Sequence, residues 1–206
     1  MLSYNEYDIS GKAFYYVRNT AVDSAILSLT RGEEVFTETT NINGDYSFEN
    51  INGGEVNVTI EKENDVEEAI TAYDAGLILR YGVGLISFTP YQMIAGDVSG
   101  NDAVTAFDAA LVLQYTVDII ESFPVMPDST HFWRFVPEDF PIAMDNWHIA
   151  PDSIAYSPLK SDTVDNYVGI IYGDVSGNWS LFDEDSSGES KSSTIAFKLE
   201  HIGCEE

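Results

Sequence analysis

The segment that most constrains this fold runs from Gly96 to Ile120. It opens Gly-Asp-Val-Ser-Gly-Asn and places oxygen-bearing side chains at Asp97, Ser99 and Asn101, with Asp108 closing a twelve-residue loop. Calcium is a hard cation that takes six to eight oxygens. A loop offering side chains at positions one, three, five and twelve, with a backbone carbonyl at seven, wraps it. Ala103 stands at the seventh position, where only the carbonyl matters. Val104 follows at the eighth, an apolar residue suited to packing inward. Around and beyond Asp108, the residues Phe107, Ala110, Leu111 and Tyr115 recur at spacings of three and four, which predicts a helix. The segment reads as a calcium loop feeding a helix.

It has a twin 34 residues upstream, where Ala69-Ile70-Thr71-Ala72-Tyr73-Asp74 aligns with Ala103-Val104-Thr105-Ala106-Phe107-Asp108. The helical residues after each aspartate align too. Read as a contiguous loop, the first copy offers Glu63, Asp65, Glu67, the Ala69 carbonyl and Asp74 as ligands. The sixth position, often glycine in such loops, is Glu68 here and Asp102 in the second copy, with Gly100 at the fourth. Glu63 stands where an aspartate is expected, so the second loop is the better formed. Neither copy alone has enough apolar surface for a core, so the pair should pack together. Tyr73, Leu77, Tyr81, Phe107, Leu111 and Tyr115 are the residues expected to be buried by that packing.

The tandem over residues 63–122 resembles a type I dockerin, the calcium-dependent module that attaches proteins to cohesins. The resemblance implies contact residues at loop positions ten and eleven and on the outer helix face. Here those are Ala72, Tyr73 and Arg80 in one copy, and Ala106, Phe107 and Gln114 in the other. It also implies a cohesin-like partner and, from the near-identity of the copies, docking in two orientations.

Short alternating stretches precede the tandem: residues 11–17, 25–30, 35–40, 46–48 and 56–60, separated by Asn/Gly turns. Strands at that spacing predict an antiparallel sandwich. The run Thr39-Thr40-Asn41-Ile42-Asn43-Gly44-Asp45-Tyr46-Ser47-Phe48, followed by Gly53-Gly54-Glu55-Val56, resembles the prealbumin-like module called carboxypeptidase-regulatory-like, in which this stretch is structural. After the tandem, five prolines from Pro127 to Pro158 punctuate the chain, and residues 132–136 and 167–172 alternate as strands. The whole predicts a multi-module α+β protein: a sandwich over 1–61, the calcium module over 62–122, and a β-rich extension over 123–206.

That extension contains a second Gly-Asp-Val-Ser-Gly-Asn, from Gly173 to Asn178. Asp174, Ser176, Asn178 and Asp185 fall at positions one, three, five and twelve, yet Ser186-Ser187-Gly188 cannot continue as a helix. A third calcium site and a plain turn both remain open. Residues 183–193 have a linker's composition, and 194–199 alternate as one more strand.

Charge narrows the partners. The chain carries 9 basic and 35 acidic residues, a net charge of −26. That disfavours nucleic acid, which needs Lys and Arg for its phosphates, and insertion into anionic membranes. A hydrophobic content of 44% separates it from a disordered acidic tail. With Cys204 the single cysteine, calcium rather than disulfides would hold the fold outside the cell. The chain reads as an interior or processed piece of an extracellular or cell-surface protein. No local nucleophile motif accompanies His131, His148 and His201, so catalysis is not expected. Two other roles compete with docking. The helix pair could be a spacer in a stalk, its apolar face covered by a neighbouring module of the same chain. Alternatively, Trp133, Trp147 and Trp179 could form an accessory carbohydrate-binding platform.

Overall fold

The computed structural model describes residues 5–180. Five strands come first: β1 (Glu6–Tyr15), β2 (Ile26–Arg31), β3 (Glu34–Thr39), β4 (Asp45–Asn52) and β5 (Gly54–Glu61). Three helices follow, α1 (Ala72–Gly82), α2 (Pro90–Gly96) and α3 (Ala106–Thr116). Four strands complete the described chain: β6 (Trp133–Pro137), β7 (Ser153–Leu159), β8 (Thr163–Val164) and β9 (Tyr167–Ile171). The protein is a mixed α+β fold with two sheets.

Each sheet draws on both ends of the chain. One runs β3-β2-β5-β7, antiparallel throughout, with Val58 opposite Ile154. The other runs β4-β1-β9-β6, with β8 beside β1. There β1 pairs parallel with β9, Phe14 opposite Val168, and parallel with β8, Ser10 opposite Val164. The strands expected as an N-terminal sandwich and those expected as a separate C-terminal extension therefore share their hydrogen bonds. The physical reason is visible in the burial pattern. β9 is buried along its whole length, so it can only be a central strand. It needs β1 on one side and β6 on the other.

Alternation aims Ile9, Ala13 and Tyr15 of β1, Tyr46 and Phe48 of β4, Leu27 and Leu29 of β2, and Val56 and Val58 of β5 into one core. Tyr46 and Phe48, from the stretch expected to be structural, are packing residues. The Tyr167 hydroxyl crosses between the sheets to donate to the Val58 carbonyl at 2.9 Å. Asp165, buried between β8 and β9, accepts from the hydroxyls of Tyr156 and Thr163. Desolvation pushes its carboxyl above the usual range, against the pull of those donors. A raised carboxyl stabilises the fold below its unfolded value and loses that contribution as pH rises through the folded one. Asp165→Asn is therefore expected to flatten part of the stability gained as pH falls from neutral toward the unfolded carboxyl value of about 3.9, read by thermal unfolding in chelator against the unmodified chain.

Helices α1 and α3 pack on each other through Ala75 and Ile78 on one side and Ala109 and Val112 on the other, all fully or almost fully buried. Burial of each Ile or Val side chain contributes about 1.5–3 kcal/mol. Both helices start alike. Thr71 and Asp74, and Thr105 and Asp108, form reciprocal capping boxes, with Asp74 and Asp108 accepting from the threonine N–H groups at 2.9 and 2.8 Å. Between them lies α2, capped by Thr89 with Pro90 in its first turn.

Candidate metal centres and docking face

The loop before α3 is wound as its spacing predicts. The Asp97 carboxylate accepts from the N–H groups of Gly100 and Asn101 at 3.0 and 3.1 Å on one oxygen, and from Asp102 at 2.8 Å on the other. Asp108, three turns of chain later, reaches back to accept from the Ser99 N–H at 3.0 Å. Gly100 and Asp102 both take left-handed backbone, which closes the turn at positions four and six. Asp108 is fully buried and Asp97 nearly so. Desolvation raises the Asp97 carboxyl, with the N–H groups of Asn101 and Asp102 pulling the other way. Asp97, Ser99, Asn101, the Ala103 carbonyl and Asp108 are thus set along one loop, a set made only of oxygens. That chemistry suits a hard cation and excludes soft ones.

The first copy differs. Asp74 is fully buried, and its Oδ1 accepts from the N–H of Ser176 at 2.8 Å, not from that of Asp65. Asp65 is instead in an ion pair with Lys62 at 2.9 Å, and its carbonyl accepts from the Trp179 indole at 2.9 Å. Glu63 and Glu67 are exposed. Among the described residues no three His, Cys, Asp or Glu side chains converge on one point. The expected contiguous ligand set of Glu63, Asp65, Glu67 and Asp74 is therefore not assembled. Side chains as long as glutamate at positions one and five, with Asp65 drawn to Lys62, do not fold back over Asp74.

What lies over Asp74 is the second Gly-Asp-Val-Ser-Gly-Asn. Asp174 accepts from Gly177 and Asn178 at 2.8 and 3.3 Å on one oxygen and from Trp179 at 3.2 Å on the other. Bond for bond, this repeats Asp97 with Gly100, Asn101 and Asp102. Gly177 is left-handed like Gly100, and Glu68 is left-handed like Asp102. Asn178 donates to the Glu68 carbonyl at 2.8 Å, stitching the two strands of chain together. Asp174 also accepts from the Tyr15 hydroxyl at 2.5 Å. Burial pushes its carboxyl up, Tyr15 pulls it down, and Asp74 nearby pushes it up again. Of the two readings left open for 173–178, the turn is present and helps complete another residue's surroundings; Asp185 lies outside the described residues, as do 183–193 and 194–199.

Exposed apolar residues repeat along the helix pair and just beyond its ends. Tyr73 and Phe107 are 64% and 58% exposed, and Leu79 and Leu113, Val83 and Val117, Leu85 and Ile119 are exposed as well. Every member of one set lies 34 residues from its counterpart in the other. Ala72, Arg80 and Ala106 are exposed beside them and Gln114 is half-buried. Of the six residues expected to be buried by helix packing, Leu111 is buried and Leu77, Tyr81 and Tyr115 pack against the core, whereas Tyr73 and Phe107 do not. Those two are the eleventh loop residues, turned outward because their neighbours at twelve point in.

The tryptophans form no platform. Trp133 and Trp179 meet edge to face at 4.8 Å inside the core and donate to the carbonyls of Asn64 and Asp65, and Trp147 is buried. Their faces are spent on packing. No family model matches the sequence, and no curated protein matches it.

Proposed function

We propose that this chain is a non-catalytic, calcium-dependent docking module of an extracellular or cell-surface protein, and that its partner is a cohesin-like domain. The observation that carries the proposal is the outer face of α1 and α3. Two identically spaced sets of exposed apolar residues, led by Tyr73 and Phe107, repeat along α1 and α3 and just past their ends, and apolar side chains repeated this way in water suit a partner. Calcium belongs to the reading because the oxygen donors of the Asp97 loop sit at the base of α3, and an ion there would fix the helix that carries Phe107. The competing spacer reading requires the face to be covered, and no described residue covers Phe107. The repeat supports docking in either of two orientations related by the exchange of α1 and α3.

The test is binding of the full chain to a panel of cohesin domains, with and without chelator. Calcium-dependent binding is expected. Phe107→Asp alone should weaken it about tenfold or less if the second orientation substitutes, and Tyr73→Asp with Phe107→Asp should remove it, as expected when central aromatic anchors are lost. Absence of binding to every member would remove the docking proposal.

A further inference from the structure

We infer that the first ion site of this chain is discontinuous: Asp174, Ser176 and Asn178 supply the first half of its donors, and the Ala69 carbonyl and Asp74 supply the second. The inference rests on the calcium reading above and changes which residues carry it. Its electrostatic basis is independent of loop shape. Asp74 and Asp174 are both fully buried and face each other from positions a hundred residues apart. None of the ion pairs among the described residues includes either of them. Both are held by N–H and O–H donors, an arrangement with no protein cation to offset two buried charges brought close together. A cation between them completes it.

The donor set says which cation. Two carboxylates, a hydroxyl, an amide oxygen and a backbone carbonyl are all hard oxygens, the same list as at Asp97, Ser99, Asn101, Ala103 and Asp108. The equivalence extends to the twelfth position: Asp74 takes the Ser176 N–H at 2.8 Å as Asp108 takes the Ser99 N–H at 3.0 Å. The loop's positions one to five are residues 174–178, and its positions six to twelve are residues 68–74. Gly173 continues the correspondence by donating to the Ala95 carbonyl at 2.7 Å, immediately before Gly96 of the other loop. Glu63, Asp65 and Glu67 are then solvated or ion-paired acids outside the site.

An ion held this way also acts as a clasp. It ties helix α1 to the segment leaving β9, so its full donor set exists only when the sheets and the helix pair are assembled together. The Asp97 loop, contiguous in sequence, carries no such requirement.

The experiment is titration of the full chain with calcium alone, and with terbium alone as a luminescent probe sensitised by Trp179 beside the site. The unmodified chain is expected to bind two ions. Asn178→Asp should tighten one of the two about tenfold, because added ligand charge raises affinity in such loops. Asn178 is exposed, and the gain is read net of the hydrogen bond to the Glu68 carbonyl that the substitution removes. Asp174→Asn should remove one site and its sensitised emission, while Glu67→Gln, at the contiguous loop's fifth position, should leave both sites within about twofold. Weakening by Glu67→Gln with no effect of Asn178→Asp would overturn the discontinuous site and leave the calcium reading intact. A single site lost on Asp108→Asn would do the same. Absence of any binding to the unmodified chain would overturn both.

Discussion

Asp108→Ala is expected to lower the thermal midpoint in saturating calcium by about 7–15 °C, and Asp102→Ala by about 2–4 °C or less. The first estimate follows from linkage. An ion present at a hundred times its dissociation constant stabilises the fold by about 2.7 kcal/mol, and about 2–4 °C accompanies each kcal/mol for a domain of this size. Asp108 has further work that needs no metal: it caps α3 at the Thr105 N–H and holds the Ser99 N–H. Loss of a cap costs about 1 kcal/mol, and that part should persist in chelator. Asp102 is exposed and occupies left-handed backbone, which alanine tolerates less well, at a cost of about 1 kcal/mol or slightly more. Its effect should be the same with and without calcium. Calorimetric midpoints of both variants with and without chelator decide the matter, and a calcium-dependent loss at Asp102 equal to that at Asp108 would contradict the loop positions assigned to them.

The local structure and the long-range pairing were legible to different degrees, for a physical reason. Everything local could be read from spacing. Apolar residues at three and four after a threonine-led aspartate place α1 and α3 correctly, because helix hydrogen bonds, capping and one-sided burial act over a single turn or two. The turn at Asp97 could be read for the same reason, since Asp97 and Asp108, which hold its N–H groups, lie within twelve residues. Strands β2, β3 and β5 stand within a residue or two of their alternating stretches. What spacing does not carry is pairing across the chain. The parallel partnership of β1 with β9, and the placing of β7 beside β5, depend on which buried strand lacks neighbours. β8, two residues long, is too short to alternate.

The same limit explains Glu63, Asp65 and Glu67. A contiguous loop is the shortest way to place donors over Asp74, so residues preceding it are the natural expectation. Two sequence features agree with the discontinuous site proposed above: a glutamate at the first loop position, where aspartate is expected, and a second Gly-Asp-Val-Ser-Gly-Asn at 173–178. Only the three-dimensional pairing of β1, β6 and β9 brings that segment to α1, since it follows directly on β9.

Gly177→Ala is expected to destabilise the protein by about 3 kcal/mol or more, against about 1–2 kcal/mol for Gly100→Ala, although the two glycines hold the same loop position. Both have left-handed backbone, at φ of +69° and +71°. An L side chain pays about 1–2 kcal/mol there in either copy. The surroundings separate them. A methyl group at Gly100 would meet Val125 at 3.2 Å, a contact relieved by a few tenths of an ångström of movement. At Gly177 it would lie 2.2 Å from a Val17 methyl carbon and 2.9 Å from its β-carbon. Rotating Val17 clears the first contact and not the second, so the backbone after β1 must shift, and overpacking of this kind costs about 1–3 kcal/mol more. The displaced segment carries Tyr15 and Tyr16, whose hydroxyls donate to the Asp174 carboxylate and carbonyl at 2.5 and 2.8 Å. The damage should therefore reach the Asp74–Asp174 pair from the β1 side. Chemical denaturation of both variants in chelator isolates the steric effect from any ion, and equal losses at the two glycines would show that Val17 does not close over Gly177 as described.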